Sequence, residues 1–246
     1  MLGGVAADRA GAPGVVHRAQ PPALLQGAAA QGRLLRSVQP RRPVWAGHVL
    51  ETIERLGLFE NTLVVFTSDH GTEFMEHGHL QKHPHLLHHQ VARLPLIVHH
   101  PEADLNGQRV GGLTSALDFM PPFLNFLGED GADALDGSDF LELATGEAKS
   151  IHDYVYSGYG RYGSVRDSEW NYLFPTETGL QDDPEVDEET MPPDLITALV
   201  EPLHPPRLYH YGAGDFDEMN NVIDRHPEVA ARMRELALRK WPDAPA

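Results

Sequence analysis

The run Asn61-Thr62-Leu63-Val64-Val65-Phe66-Thr67-Ser68-Asp69-His70-Gly71 decides the fold class. Its first half is β-branched and apolar without alternation, the pattern of a strand covered on both faces in a parallel sheet. Its second half is polar and ends in glycine. That places an acid and an imidazole just past the carboxyl end of a strand, where open α/β sheets bind ligands. Upstream, Val49, Ile53 and Leu56 fall at i, i+4 and i+7 with Glu51, Glu54 and Arg55 between them. This spacing predicts an amphipathic helix closed by Gly57. Downstream, Leu94-Pro95-Leu96-Ile97-Val98 is a second short apolar run. The connection between the two strands, from Gly71 to Arg93, is too long for a simple loop. Helix, strand, connection and strand together read as α/β.

The rest of the chain extends this reading. Thr114 to Leu127 has a helical apolar pattern that Pro121-Pro122 must either break or restart. Gly128 to Gly137 is an acidic, turn-rich loop. Beyond residue 150 the runs become strand-like, at Tyr154-Val155-Tyr156, Gly163-Ser164-Val165-Arg166, Trp170 to Phe174 and Arg207 to Tyr211. Pro227 opens a closing helix with Val229, Met233 and Leu236 on one face. Seven acids between Asp182 and Asp194, with three prolines among them, read as a solvated loop.

Charge divides the chain unevenly. Of 246 residues, 19 are Lys or Arg and 36 Asp or Glu, for a net charge of −17. Residues 1–48 hold six arginines against the single acid Asp8, a net of +5, so residues 49–246 carry −22. The first segment is rich in Ala, Gly, Pro and Arg and shows no helical or strand period. It reads as disordered or as misread sequence. Residues 49–150 read as the α/β core and 151–246 as a C-terminal subdomain of antiparallel strands and a helix. The acidic balance argues against nucleic acid as a partner. No apolar run is long enough to span a membrane, so the expectation is a cytoplasmic protein with neither partner. With no cysteine, thiolate metal sites and thiol nucleophiles are excluded for these residues.

Nine of the fifteen histidines lie between His70 and His100. As residues alone, they fit either a polar His-biased loop or a metal or anion site beside Asp69 and His70. A carboxylate and an imidazole at that strand end can share a divalent cation.

The order of short motifs narrows the choice. Thr67-Ser68-Asp69-His70-Gly71, His77-Gly78, Lys82 and Arg93-Leu94-Pro95-Leu96-Ile97-Val98 follow one another in the manner of the sulfatases of the alkaline phosphatase superfamily. Leu117-Asp118-Phe119-Met120-Pro121, Leu135-Asp136-Gly137, Leu208-Tyr209 and Glu218-Met219-Asn220-Asn221 continue the resemblance to about residue 246. The resemblance implies the later part of an alkaline-phosphatase-like mixed sheet with flanking helices, then a small antiparallel sheet and helix. It implies hydrolysis of a small-molecule sulfate ester, or of a related phosphonate or phosphate diester, at one divalent metal. Asp69 and His70 match the late pair of metal ligands. His70 stands where many members have Asn, as in the phosphonate monoester hydrolases, which leaves calcium, manganese and zinc open with calcium first. Lys82 matches the lysine that contacts sulfate oxygens, where an ammonium meets the anion and the charge growing on the leaving oxygen. His77 and His85 are further candidates for anion contact, and His83 for proton donation beside Lys82.

Two family features are missing from these residues. Sulfatases make their nucleophile from Cys or Ser in a Cys/Ser-x-Pro-x-Arg stretch, and no residue here stands in that context. The early aspartate pair of the metal site also has no match, because Asp8 is the only acid before Glu51. Two protein ligands would hold a hard cation weakly. The expectation is therefore a sulfatase-like chain lacking its front part, inactive alone or reduced to binding metal or anion, with exposed strand edges that favour association.

Overall fold

The computed structural model describes residues 23–24, 44–83, 85–103, 105, 107–176 and 203–245. The acidic stretch 182–194 and most of residues 1–48 lie outside them. Two sheets carry the fold. The first has the order β1 (Ala23–Leu24), β5 (Ile97–His99), β2 (Val64–Phe66). β1 runs parallel to β5, and β2 runs antiparallel to it with Val65 opposite Val98. The sheet is thus mixed. The sequence pointed to a parallel sheet around β2, but its pairing with β5 is antiparallel and its residues are only half-buried. A continuous apolar run reports burial and carries no information about strand direction.

Helix α1 (Val44–Arg55) covers this sheet and ends at Gly57, whose φ of 69° gives the left-handed turn. Its buried face differs from the expected one. Leu50, Ala46 and Ile53 pack with Phe59, Val64 and Ile97, whereas Val49 and Leu56 are 59% and 56% exposed. Both faces satisfy helical spacing. The one containing the small Ala46 lets the helix approach the sheet.

The connection from Gly71 to Arg93 has structure of its own, as its length required. β3 (Glu73–Phe74) and β4 (Leu80–Gln81) form a hairpin, and α2 (His89–Ala92) follows. After β5, a 3₁₀ turn at Ala116–Phe119 leads into α3 (Met120–Leu127), with Pro121-Pro122 in its opening turn and Gly128 closing it at φ 70°. The proline pair restarts the helix. Asp118 organises this turn. Fully buried, its carboxylate accepts Ser115 N at 2.6 Å, Ser138 N at 2.9 Å and His152 Nε2 at 2.9 Å. Helix α4 (Leu141–Thr145) then packs beside Leu96 and Val98.

The second sheet is antiparallel, in the order β6 (Val155–Tyr159), β7 (Tyr162–Arg166), β8 (Trp170–Pro175), β9 (Arg207–His210). Both its faces are covered. On one, Val165, Tyr172, Phe174 and Leu208 meet Met233, Leu236 and Ala237 of α5 (Pro227–Lys240). The stripe Val229, Met233, Leu236 is the face the sequence predicted. On the other, Leu87 from the histidine-rich connection packs with Tyr162, Leu173 and Tyr209. That second contact holds the histidines against the sheet. Among the described residues, no helix is long and apolar enough to cross a membrane.

Candidate functional site

Asp69 and His70 lie just past the end of β2, as expected. Asp69 Oδ1 accepts the His70 backbone N–H at 2.8 Å, and Asp69 Oδ2 stands 3.6 Å from His70 Nε2. The other ring nitrogen, Nδ1, is 2.7 Å from the Gly71 carbonyl. This fixes the ring so that Nε2 faces the carboxylate, the arrangement of a metal-binding imidazole oriented by a backbone carbonyl. A carboxylate oxygen and an imidazole nitrogen at that separation fit around one cation. The hydrogen bond from His70 N–H holds the Asp69 carboxyl below its ordinary range, so it is ionised. Gly71 seats the loop. Its N–H donates to Val91 O at 2.9 Å, and a Cβ there would lie 1.9 Å from the Gln90 carbonyl oxygen.

Lys82 follows β4 and is exposed, its Nζ 5.6 Å from the centre of the Tyr159 ring. Beside it in sequence, His83 Nδ1 and His85 Nδ1 are 2.8 Å apart, so one ring donates and the other accepts. His79 and His204 complete a cluster of four imidazoles, with ring centres 4.4 to 5.0 Å apart. His85 is buried, and burial together with the neighbouring His83 pushes it down to about 3, so it is neutral at pH 7. Arg207 Nη2 donates to His85 O at 2.9 Å, and the same guanidinium keeps Nε buried with no partner. The structure thus brings His83 and His85 together and adds Arg207, while Lys82 lies over the Tyr159 ring.

His77 sits elsewhere. Its Nδ1 is 2.8 Å from Glu73 Oε1, its Nε2 is 3.2 Å from Glu218 O, and its ring stacks on His88 at 3.6 Å. Glu73 and His88 are fully buried. Burial pushes the Glu73 carboxyl up against the opposing pull of His77, and holds His88 down at about 2. Among the described residues, Glu73, His77 and His88 form a group whose donor atoms lie close enough to hold a metal ion. Glu73 and His88 were not singled out from the sequence. The available signals were a Glu four residues before a His, and an unusually dense run of histidines.

Glu218 joins the connection to the C-terminal sheet. Buried and in the left-handed region at φ 54°, it accepts Arg166 Nη1 at 2.5 Å, Asn171 Nδ2 at 3.1 Å and the His89 N–H at 3.0 Å. Such a backbone conformation persists in a non-glycine residue only when surrounding contacts fix it. Its neighbour Asn221 accepts Leu208 N at 3.0 Å. The late motif therefore ties β8, β9 and α2 together.

Comparison with known proteins places part of this chain. Residues 46–129 match the sulfatase family model. The N-acetylglucosamine-6-O-sulfatase of Bacteroides thetaiotaomicron is 30% identical over 135 residues, covering 55% of this chain and 22% of the relative. The dog arylsulfatase K is 24% identical over 196 residues, covering 74% and 32%. The matched segment is thus similar to the sulfatases, and the fold is that of the sulfatase/alkaline phosphatase superfamily. The phosphonate monoester hydrolase of Silicibacter pomeroyi superposes with a TM-score of 0.57 at 23% identity, over 79% of this chain and 37% of that one. The chain spans less than two-fifths of the length of each of these relatives.

Proposed function

We propose that this chain carries the late metal ligands and the anion-holding residues of a sulfate-ester hydrolase. The observation that carries the reading is the placement of Asp69 and His70, with donor atoms 3.6 Å apart at the strand end, within a segment matched by the sulfatase family. Asp69 and His70 would hold one divalent cation, calcium first and manganese or zinc as alternatives, which polarises an ester oxygen when bound. Lys82 supplies an ammonium to the sulfate oxygens of a small-molecule ester, and His83 and His85 flank it. These residues bind and orient an ester. The formylglycine-type nucleophile has no counterpart among the 246 residues, so covalent turnover has no starting atom here.

The test is direct. Sulfate should bind the purified chain in the presence of calcium, and Lys82→Ala should weaken it roughly tenfold or more, the worth of one charge-assisted hydrogen bond. p-Nitrophenyl sulfate should be hydrolysed negligibly, and turnover at rates typical of the family would refute the assignment of a binding role. One observation favours a second reading. A multifunctional alkaline phosphatase superfamily protein of Trinickia caryophylli is 33% identical over 105 residues, and His70 takes the form seen in phosphonate hydrolases. Tighter binding of a phosphonate monoester than of a sulfate ester would favour that class. If calorimetry detects no zinc, manganese or calcium binding below millimolar concentration, both readings lose their metal.

A further inference from the structure

Glu73 and His77 come from the β3–β4 hairpin, and His88 from the residue before α2. Glu73 Oε1 is 2.8 Å from His77 Nδ1 and 3.5 Å from His88 Nδ1. The two rings are stacked 7° from parallel, so both Nδ1 atoms face the same carboxylate. Two atoms of this group, Glu73 Oε2 and His88 Nδ1, are buried with no hydrogen-bond partner among the described residues. Unpaired buried polar atoms are uncommon in folded proteins, and two in adjacent side chains point to a partner that links them. His77 adds to the case. Both its nitrogens face acceptors, Glu73 Oε1 and Glu218 O. A cation between Nδ1 and Oε1 would bind both at once. An ion pair between His77 and Glu73 would satisfy Oε1 but leave Oε2 and His88 Nδ1 unpaired.

We infer that Glu73, His77 and His88 form a zinc-type cation site, with ligands separate from Asp69 and His70, that fastens the histidine-rich connection to the C-terminal sheet. All three donor atoms lie within 4.8 Å of one another, and the two shortest separations fit around a single ion with bonds of about 2 Å. Two imidazoles and one carboxylate suit zinc, cobalt or nickel, whereas calcium and magnesium prefer oxygen ligands alone. The outer nitrogens are already oriented as metal-bound imidazoles require. His77 Nε2 stands 3.2 Å from Glu218 O and His88 Nε2 3.4 Å from Tyr209 Oη. These contacts run to β9 and to the loop before α5, so an ion here would staple segments more than a hundred residues apart in sequence.

The experiment uses the full chain carrying Asp69→Ala and His70→Ala, which removes the strand-end pair at side chains 84% and 40% exposed. Titration with Zn²⁺ alone should show one equivalent bound. Adding Glu73→Gln, which keeps side-chain shape, or His88→Gln should weaken that affinity at least about 100-fold. X-ray absorption at the zinc edge of the Asp69→Ala/His70→Ala chain should show two imidazoles and a carboxylate oxygen, and this readout does not depend on how the further variants fold. Zinc affinity unchanged by both further substitutions would overturn the inference and move the ion to the His79–His85 cluster. Zinc binding abolished by Asp69→Ala/His70→Ala alone would also overturn it, while leaving the strand-end reading intact.

Discussion

Gly71 and Glu218 each occupy a position that no other residue fills as well. A Cβ on Gly71 would meet the Gln90 carbonyl, part of the α2 backbone that cannot rotate away. Gly71→Ala should therefore cost about 1–3 kcal/mol, at the upper end for overpacking because the neighbour is main chain, read as a lower urea midpoint. Glu218 is fully buried against an Arg166 side chain only 11% exposed. Glu218→Ala would strand that guanidinium, so the loss should be about 3–5 kcal/mol in the same assay. Asp69, His70 and Lys82 could be singled out as candidates from the sequence because an ordered set of short motifs fixes their positions in the chain. Glu73, His88 and Glu218 could not be assigned roles that way. Their significance lies in contacts across a hairpin or across more than a hundred residues, as from His89 to Glu218, and local spacing does not encode those contacts.

At the scale of elements, periodicity located helices and strands well and was silent on orientation. The strands β6 to β9 and the buried stripe of α5 follow the predicted runs because each has a single apolar pattern. Helix α1 offers two stripes with equal spacing, and hydrophobicity alone favours the larger residues Val49 and Leu56. The sheet decides otherwise, since Phe59, Val64 and Ile97 present a surface that accepts Ala46 and Leu50 at close range. Antiparallel pairing of β2 with β5 is hidden for a similar reason, because partners are chosen by topology rather than by the strand's own composition. The face assignment has a sharp consequence. Leu50→Ala should cost about 2–5 kcal/mol as a buried truncation, whereas Val49→Ala should stay within about 0.5 kcal/mol. Equal losses at the two positions in urea titrations would return the helix to its other face.

The whole molecule responds to pH through the histidines that the C-terminal sheet buries. His85, His88 and His89 are pushed down to about 3, about 2 and about 4, in each case chiefly by burial, with His83, His77 and Arg166 respectively adding like charge. An unfolded histidine titrates near 6.5, so below that pH the unfolded chain binds protons these three rings refuse. Their contribution is intact above 6.5 and is lost as pH falls towards the folded values. Each ring supplies a slope of up to about 1.4 kcal/mol per pH unit. Glu73 runs the opposite way, since burial raises its carboxyl and lower pH relieves it, and this offsets part of one ring. Acidification also weakens the self-repulsion of a chain with net charge −17, so the measurement belongs in salt that screens the surface and in chelator that keeps His88 free of metal. Under those conditions, stability from urea titrations should fall by on the order of 3 kcal/mol between about pH 7 and pH 5.5. His85→Gln should remove roughly a third of that slope. A chain whose midpoint stays level across this interval would not bury three neutral imidazoles against the sheet, and the packing of the histidine-rich connection would have to be redrawn.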